Sequence, residues 1–309
     1  MADKVIVLAG PTASGKTALS IKLAQLYNGE IVSADSMQIY KRMDIGTAKA
    51  TPEEQAQAVH HMIDVAEPCE EYSVSRYVED AEKCCRDIIS RGKMPIICGG
   101  TGLYIDSLLS GRNFAQRDED SNLRDELNAE YDEIGGEEML KKLSQVDPER
   151  AAKLHPSDKR RIVRALEIFK LTGMTISQHD EATKALPPRF EAKTIILNFK
   201  DRQDLYDRIN LRVDMMEEMG LFEEVEALLQ SGLDDDCTAM QAIGYKEIVS
   251  ALKGEISREE ALEQIKMGSR RYAKRQLTWF RRNPDALWIN WDKQPDIEAA
   301  LAEINNFLN

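Results

Sequence analysis

Close to the start of the chain, K-V-I-V-L-A (Lys4 to Ala9) is an uninterrupted apolar run with no polar alternation. That is the pattern of a strand covered on both faces within a parallel sheet. Similar runs follow at Glu30 to Ala34, Met94 to Cys98, Thr194 to Phe199 and Ala286 to Asn290, with helical periods between most of them. Strands alternating with helices predict an α/β fold built on a doubly wound parallel sheet. From about Asp118 to Pro188 the strand signal stops, the periods at Glu137 to Leu143 and Arg160 to Leu171 are helical, and Leu186-Pro187-Pro188 closes the stretch. The pattern predicts an all-helical insertion domain at 118–188, hinged on a core made of 1–117 and 189–309. Helices are expected at Leu205 to Glu218, Phe222 to Gln230, Gly244 to Leu252 and Arg258 to Phe280, with Gly220, Gly232 and Gly254 placed as C-caps. S-R-E-E at Ser257 to Glu260 reads as a capping box opening the last of them.

With 309 residues, 42% hydrophobic and 31% charged, the chain has enough apolar material for a large core or two domains, which excludes disordered and fibrous classes. No stretch approaches the roughly 20 apolar residues of a membrane helix, and Met1-Ala2-Asp3-Lys4 leads into a strand rather than a signal sequence. A cytoplasmic protein with no membrane partner is expected. Five cysteines without a C-x-x-C pair read as free thiols. The adjacent His60 and His61 point apart in any regular structure; with Asp64 they read as structural loop residues without a metal role. A net charge of -13 weighs against indiscriminate nucleic-acid binding. The charges are segregated, however: Gln264 to Pro284 contains no Asp or Glu but holds Lys266, Arg270, Arg271, Lys274, Arg275, Arg281 and Arg282. Lys159, Arg160, Arg161 and Arg164 form a second basic cluster. Two such clusters suit one polyanion gripped from separate elements.

The most specific motif is G-P-T-A-S-G-K-T at Gly10 to Thr17, which matches G-x-x-x-x-G-K-[ST] between a buried strand and a helical pattern. Gly10, Thr12, Ala13, Ser14 and Gly15 would turn backbone amides onto a phosphate group, Lys16 adds a point charge, and Thr17 is placed to ligand Mg²⁺. The usual partners of a nucleotide-hydrolysing site are missing: Met94 to Cys98 runs into Gly99-Gly100-Thr101-Gly102 instead of an acid, and no N-K-x-D is present. The acid at a strand end is Asp35, whose position admits a metal ligand, a general base or a helix N-cap.

G-P-T-A-S-G-K-T at 10–17, D-S-M-Q-I-Y at 35–40, D-I-G-T-A-K at 44–49, H-H-M-I-D at 60–64, G-G-T-G-L-Y at 99–104, K-R-R-I-V-R-A-L-E at 159–167 and R-R-Y-A-K-R-Q-L-T-W-F at 270–280 together resemble the tRNA dimethylallyltransferases over nearly the whole chain. The resemblance implies transfer of a dimethylallyl group from dimethylallyl diphosphate to N6 of adenosine 37, in tRNAs reading codons that begin with U. It implies Asp35 as general base, with Thr101 beside it where donor and adenine meet. Diphosphate would be held by the loop, by Mg²⁺ and by Arg212, with Arg208 one helical turn away as the competing candidate. The tRNA-contacting positions carried over are Asp35, Ser36, Met37, Gln38, Thr101, Arg124, Lys159, Arg160, Arg161, Ile162, Val163, Arg270, Arg271, Lys274 and Arg275. Gln38 has the amide that reads an adenine edge, and the target base must be extruded from its loop. Tyr272, Trp279 and Phe280 interleave with the basic residues as in single-strand RNA grooves, with Trp279 and Phe280 expected to lean toward packing. Arg124 sits among acids, including Asp118, Glu119 and Asp120. Eukaryotic relatives carry a zinc finger after the point where this chain ends, so the bacterial form, a monomer, is expected.

Two rival enzymes fit parts of the pattern. A small-molecule P-loop kinase would use ATP in the loop and Asp35 as base, but gives no role to D-S-M-Q or G-G-T-G-L-Y. An AMP isopentenyltransferase would leave both basic clusters unused. A third rival, a non-catalytic P-loop RNA-binding module, would not need Asp35.

Overall fold

The structure, a computed structural model, describes residues 3–111, 122–184 and 186–308; Asp118, Glu119 and Asp120 lie outside the described residues. The chain forms two compact units, Met1–Leu109 with Arg189–Asn309, and Ser110–Pro188. The second unit begins before residue 118, so the boundary expected there falls inside it.

In the first unit, β1 (Lys4–Ala9), α1 (Lys16–Leu26), β2 (Gly29–Ser33), α2 (Pro52–Gln55), β3 (His60–His61), α3 (Val74–Ser90), β4 (Met94–Gly99) and α4 (Gly102–Leu109) precede the second unit. The second unit contributes α5 (Leu123–Val146), α6 (Pro148–Ala151), α7 (Lys159–Thr172) and α8 (Ile176–Lys184). The chain then returns with β5 (Glu191–Phe199), α9 (Arg202–Glu218), α10 (Leu221–Gln230), α11 (Tyr245–Leu252), α12 (Arg258–Phe280), β6 (Leu287–Trp291) and α13 (Ile297–Leu308). Six strands pair in the order β3-β2-β4-β1-β5-β6, every pair parallel. Strands before β1 in this order come from one part of the chain and strands after it from another. The loop following β1 therefore opens at the place where the winding reverses, the usual ligand crevice of such sheets.

Both faces of the sheet are covered, which is why its strands carry apolar residues without alternation. Ile6, Leu8, Ile31, Ile96, Ile195 and Leu197 share one face with Leu19 and Leu23 of α1, Ile209 of α9, Leu277 of α12 and Ile304 of α13. Their neighbours Val5, Val7, Val32, Ile97 and Ile196 are equally buried on the other. The expected strands all form, and β5 extends upstream to Glu191.

One strand departs from expectation. His60 and His61 form the edge strand β3 on β2 and are not loop residues. The two rings do diverge: His60 Nδ1 lies 2.8 Å from the Ala58 carbonyl, and His61 Nε2 lies 2.7 Å from Glu30 Oε2. Glu30, 2% exposed in β2, also accepts from Arg91 at 2.6 and 2.8 Å and from Lys93 at 2.7 Å. These charged hydrogen bonds hold its carboxyl well below the usual range.

The Ser257 capping box is present, with Ser257 Oγ accepting from Glu260 N and Glu260 returning to the Ser257 amide. Gly220, Gly232 and Gly254 all adopt positive φ at helix ends. In the second unit, Leu127, Met139, Leu143, Ile162, Val163 and Leu166 make a separate core. A buried acid of this unit, Glu167, is clasped by Arg124 at 3.1 and 3.0 Å and by Arg164 at 2.9 Å.

Candidate active site

The loop from Gly10 to Thr17 turns sharply between β1 and α1. Gly10 (φ 156°) passes so close to β5 that a Cβ would stand 2.8 Å from the Leu197 carbonyl, and Gly15 (φ 87°) caps α1 in a conformation that side chains resist. Ser14 is fully buried and donates to the Pro11 carbonyl at 2.8 Å, while Trp291 Nε1 of β6 donates to the Ser14 carbonyl at 2.9 Å. Lys16 curls back to donate to the carbonyls of Pro11 (2.7 Å) and Gly10 (3.1 Å). Burial pushes its ammonium down to about 8; neighbouring Arg212 lowers it further, and Cys98 and Asp35 oppose the shift.

Two of the three arginines of α9, Arg208 and Arg212, line the cavity. Arg208 donates to the Ala13 carbonyl at 3.2 Å and lies over the Phe199 ring, bracing the loop. Arg212 points into the cavity, where burial lowers its pKa and Asp35 acts in the opposite sense. Two partly buried cations, Lys16 and Arg212, thus face one carboxylate across a cavity of about 660 Å³. Thr12, Ala13, Ser14, Gly15, Thr17, Ser36, Met37, Gln38 and Arg275 line the same cavity. Met215, Met216, Leu221, Ile243 and Ile265 give it an apolar wall. Near the end of β4, where an acid would stand in a nucleotide-hydrolysing site, the wall carries Cys98, whose thiol burial pushes up.

Asp35 opens a turn, not a helix, so the N-cap role is excluded: its Oδ1 accepts from Met37 N at 2.9 Å. Thr101 Oγ1 accepts from Ser36 N at 3.1 Å and lies 3.4 Å from Ser36 Oγ. Burial and the nearby Asp35 carboxylate push the Tyr272 phenol up to about 12. Gln38 does not offer a free amide. Its Nε2 donates to the Thr47 and Ala48 carbonyls, each at 3.2 Å, and its Oε1 accepts from Ser33 Oγ at 3.0 Å. It ties the Asp35 turn to the 44–49 loop.

That loop explains D-I-G-T-A-K. Lys49, 8% exposed, donates to Asp44 (2.5 Å), Asp64 (2.6 Å) and the Tyr40 carbonyl (2.9 Å). From α10, Glu224 accepts the amides of Asp44 and Ile45 (2.8 Å each) and of Gly46 (3.1 Å), together with the Tyr245 hydroxyl at 2.7 Å. Gly46 lies flat on the Tyr245 ring, where a Cβ would come within 2.5 Å. The acidic run containing Glu224 reads as solvated surface; nothing in its pattern marks this residue as a loop clasp. Gln276 was also not foreseen, although it is the lone uncharged amide in R-R-Y-A-K-R-Q. It is 5% exposed and bonds both Thr12 N (3.0 Å) and the Gly100 carbonyl (2.9 Å).

On α12, Arg271, Lys274 and Arg275 are exposed, with Arg275 over the Tyr272 ring, and Arg270 donates to Asn210 at 2.5 Å. Phe280 is core, as expected, while Trp279 is half-buried, donates to Asp106 at 2.8 Å and underlies Arg282. In the second unit the picture of contact residues needs correction. Ile162 (0%) and Val163 (3%) are core side chains that cannot reach a ligand, Lys159 pairs with Asp132 at 2.5 Å, and Arg124 is committed to Glu167. Arg160 and Arg161 are exposed.

A family model described as IPP transferase matches residues 38–283. The chain belongs to the IPP transferase family. A second model, isopentenyl transferase, matches residues 3–65, the stretch with the phosphate loop. Proteins named tRNA dimethylallyltransferase from a Thermoanaerobacter species and from Acetivibrio thermocellus are each 48% identical; the first aligns over 100% of this chain and 98% of its own, the second over 99% and 97%. Among solved structures, the full-length tRNA isopentenylpyrophosphate transferase of Bacillus halodurans is similar at 42% identity and a TM-score of 0.74, over 99% of this chain and 95% of that one. A eukaryotic dimethylallyltransferase acting on tRNA is similar at 30% identity and a TM-score of 0.83, over 99% and 79%. The six-stranded parallel sheet with helices on both faces is thus the architecture of this transferase family.

Proposed function

We propose that the chain transfers the dimethylallyl group of dimethylallyl diphosphate to N6 of adenosine 37 in tRNAs reading codons that begin with U, yielding N6-dimethylallyladenosine. The carrying observation is that one cavity joins a phosphate loop, two inward cations, a carboxylate and an apolar wall. The loop amides, Lys16 and Arg212 suit the diphosphate; Met215, Met216, Leu221, Ile243 and Ile265 suit a five-carbon chain. Thr17 lines the cavity, and its hydroxyl makes no hydrogen bond among the described residues. It offers a hard oxygen donor that fits Mg²⁺, which would neutralise charge on the leaving diphosphate when bound.

In the reaction the N6–C bond forms as the bond from the same carbon to the diphosphate oxygen breaks. Negative charge builds on the departing diphosphate, where Lys16, Arg212 and the loop amides are already aimed. N6 becomes cationic and must lose a proton. Asp35 accepts it; with Oδ1 held by the Met37 amide, Oδ2 is the receiving atom. Thr101 fixes the Asp35 turn through the Ser36 amide. RNA lies along Arg271, Lys274 and Arg275, with Arg160 and Arg161 as the second contact; free AMP would use neither. Such an enzyme works where tRNA is, in the cytoplasm.

Replacing Asp35 tests the assignment. Asp35→Ala should lower the single-turnover transfer rate by roughly 10²- to 10⁴-fold, with tRNA affinity changed less than about twofold. An equal loss of tRNA affinity would contradict the role of base.

A further inference from the structure

Gln276 sits on the inner side of α12, and its carboxamide spans two loops. Oε1 accepts the Thr12 amide at 3.0 Å, and Nε2 donates to the Gly100 carbonyl at 2.9 Å. Gly100 has no space for a side chain there, since a Cβ would stand 2.2 Å from Nε2. One turn earlier on the same helix Tyr272 lines the cavity, and Thr101, next to Gly100, accepts the Ser36 amide at 3.1 Å. Gln276 therefore links α12 to the phosphate loop and the Gly99–Gly102 loop, and Thr101 links the latter to the Asp35 turn. The outer side of these same turns carries Arg271, Lys274 and Arg275, all exposed, in a stretch without any acid from 264 to 284.

A buried carboxamide with both ends satisfied acts as a strut; with either bond lost, a buried backbone group is left unpaired. Thr12 belongs to the loop that must cradle an anion, yet its N–H is turned to α12. The remaining amides of that loop therefore keep their aim only while Gln276 holds Thr12. Where a site works by preorganisation, a shift near 1 Å costs about 10²-fold in rate.

We infer that Gln276 is a positioning residue for the transfer. It fixes the phosphate loop against the Thr101 loop and ties both to the basic helix on which RNA is seated. The inference rests on the transfer reading above, but part of its test does not. Gln276→Leu removes both hydrogen bonds at similar volume, Gln276→Met does so with an unbranched chain, and Gln276→Asn keeps the carboxamide on a side chain too short to span both loops. Calorimetric binding of pyrophosphate alone is to be measured for each, beside kcat and KM for dimethylallyl diphosphate and affinity for an unmodified tRNA anticodon stem-loop.

The Leu and Met variants are expected to lose roughly 10- to 100-fold in kcat and to bind pyrophosphate more weakly, with RNA affinity within about twofold of wild type. Gln276→Asn is expected to lower kcat several-fold and to weaken pyrophosphate binding less than the Leu and Met variants do. A folded Leu or Met variant with wild-type kcat and pyrophosphate affinity would overturn the inference, as would a loss confined to RNA affinity. If the Leu and Met variants fail to fold, wild-type kcat and pyrophosphate affinity in Gln276→Asn overturn it. A wild-type protein that transfers nothing would sink the transfer reading, while the pyrophosphate comparison would still decide whether Gln276 holds the loop.

Discussion

Lys16 is withdrawn from water and stands close to a second cation, a poor setting for a charge that two carbonyls of its own loop offset only in part until an anion arrives. Its folded-state pKa, pushed down to about 8, lies below the value near 10.5 of an unfolded chain. Between the two the unfolded chain holds the proton and the folded one does not, so Lys16's share of stability increases as pH rises through that window. Binding has the opposite sign, because a diphosphate needs the ammonium. Pyrophosphate affinity of the free protein should fall as pH rises past about 8, approaching roughly tenfold per unit. Calorimetry across that range checks this, with Lys16→Met as the variant that should show no such break; an equal slope in both would assign the effect to the ligand. The phosphate loop and Asp35 were legible because their chemistry sits in contiguous strings beside a strand. The commitments of Gln38 and Gln276 were not, since the partners lie 5, 9 and 10 residues away in one case and 176 and 264 in the other.

At the scale of elements, β2 carries the least ordinary residue of the sheet. Glu30 is buried and accepts from Arg91, Lys93 and His61, whose side chains remain partly in water. Its depressed pKa means that its contribution is present above the usual carboxyl range and is lost as pH falls through the folded-state value. Glu30→Ala should cost about 3 kcal/mol, read as a lower urea midpoint at unchanged slope. A loss below about 1 kcal/mol would class the cluster with exposed ion pairs. The same cluster explains why β3 escaped notice: two histidines have no strand pattern, and only pairing to β2 and the His61–Glu30 contact make them one. Helix α12 was legible from its capping box and from the absence of acids after Glu263. The clasp of Glu224 on the 44–46 amides joins residues about 180 positions apart, and no local period reports it.

For the whole molecule, the sheet is interrupted by a helical unit and completed after it, with β5 returning beside β1. That discontinuity could be read from the resumed apolar run at Thr194 to Phe199, because a strand buried on both faces has only one kind of place to go. The net charge of -13 likewise hides a basic helix suited to a polyanion. The central claim, that this cavity moves a prenyl group onto tRNA, is tested most directly by incubating the protein with labelled dimethylallyl diphosphate, Mg²⁺ and unmodified tRNA with adenosines at 36, 37 and 38, beside free AMP and ATP alone. The account predicts label on adenosine 37 and none on AMP. Label on AMP, or phosphate released from ATP without prenyl transfer, would contradict it.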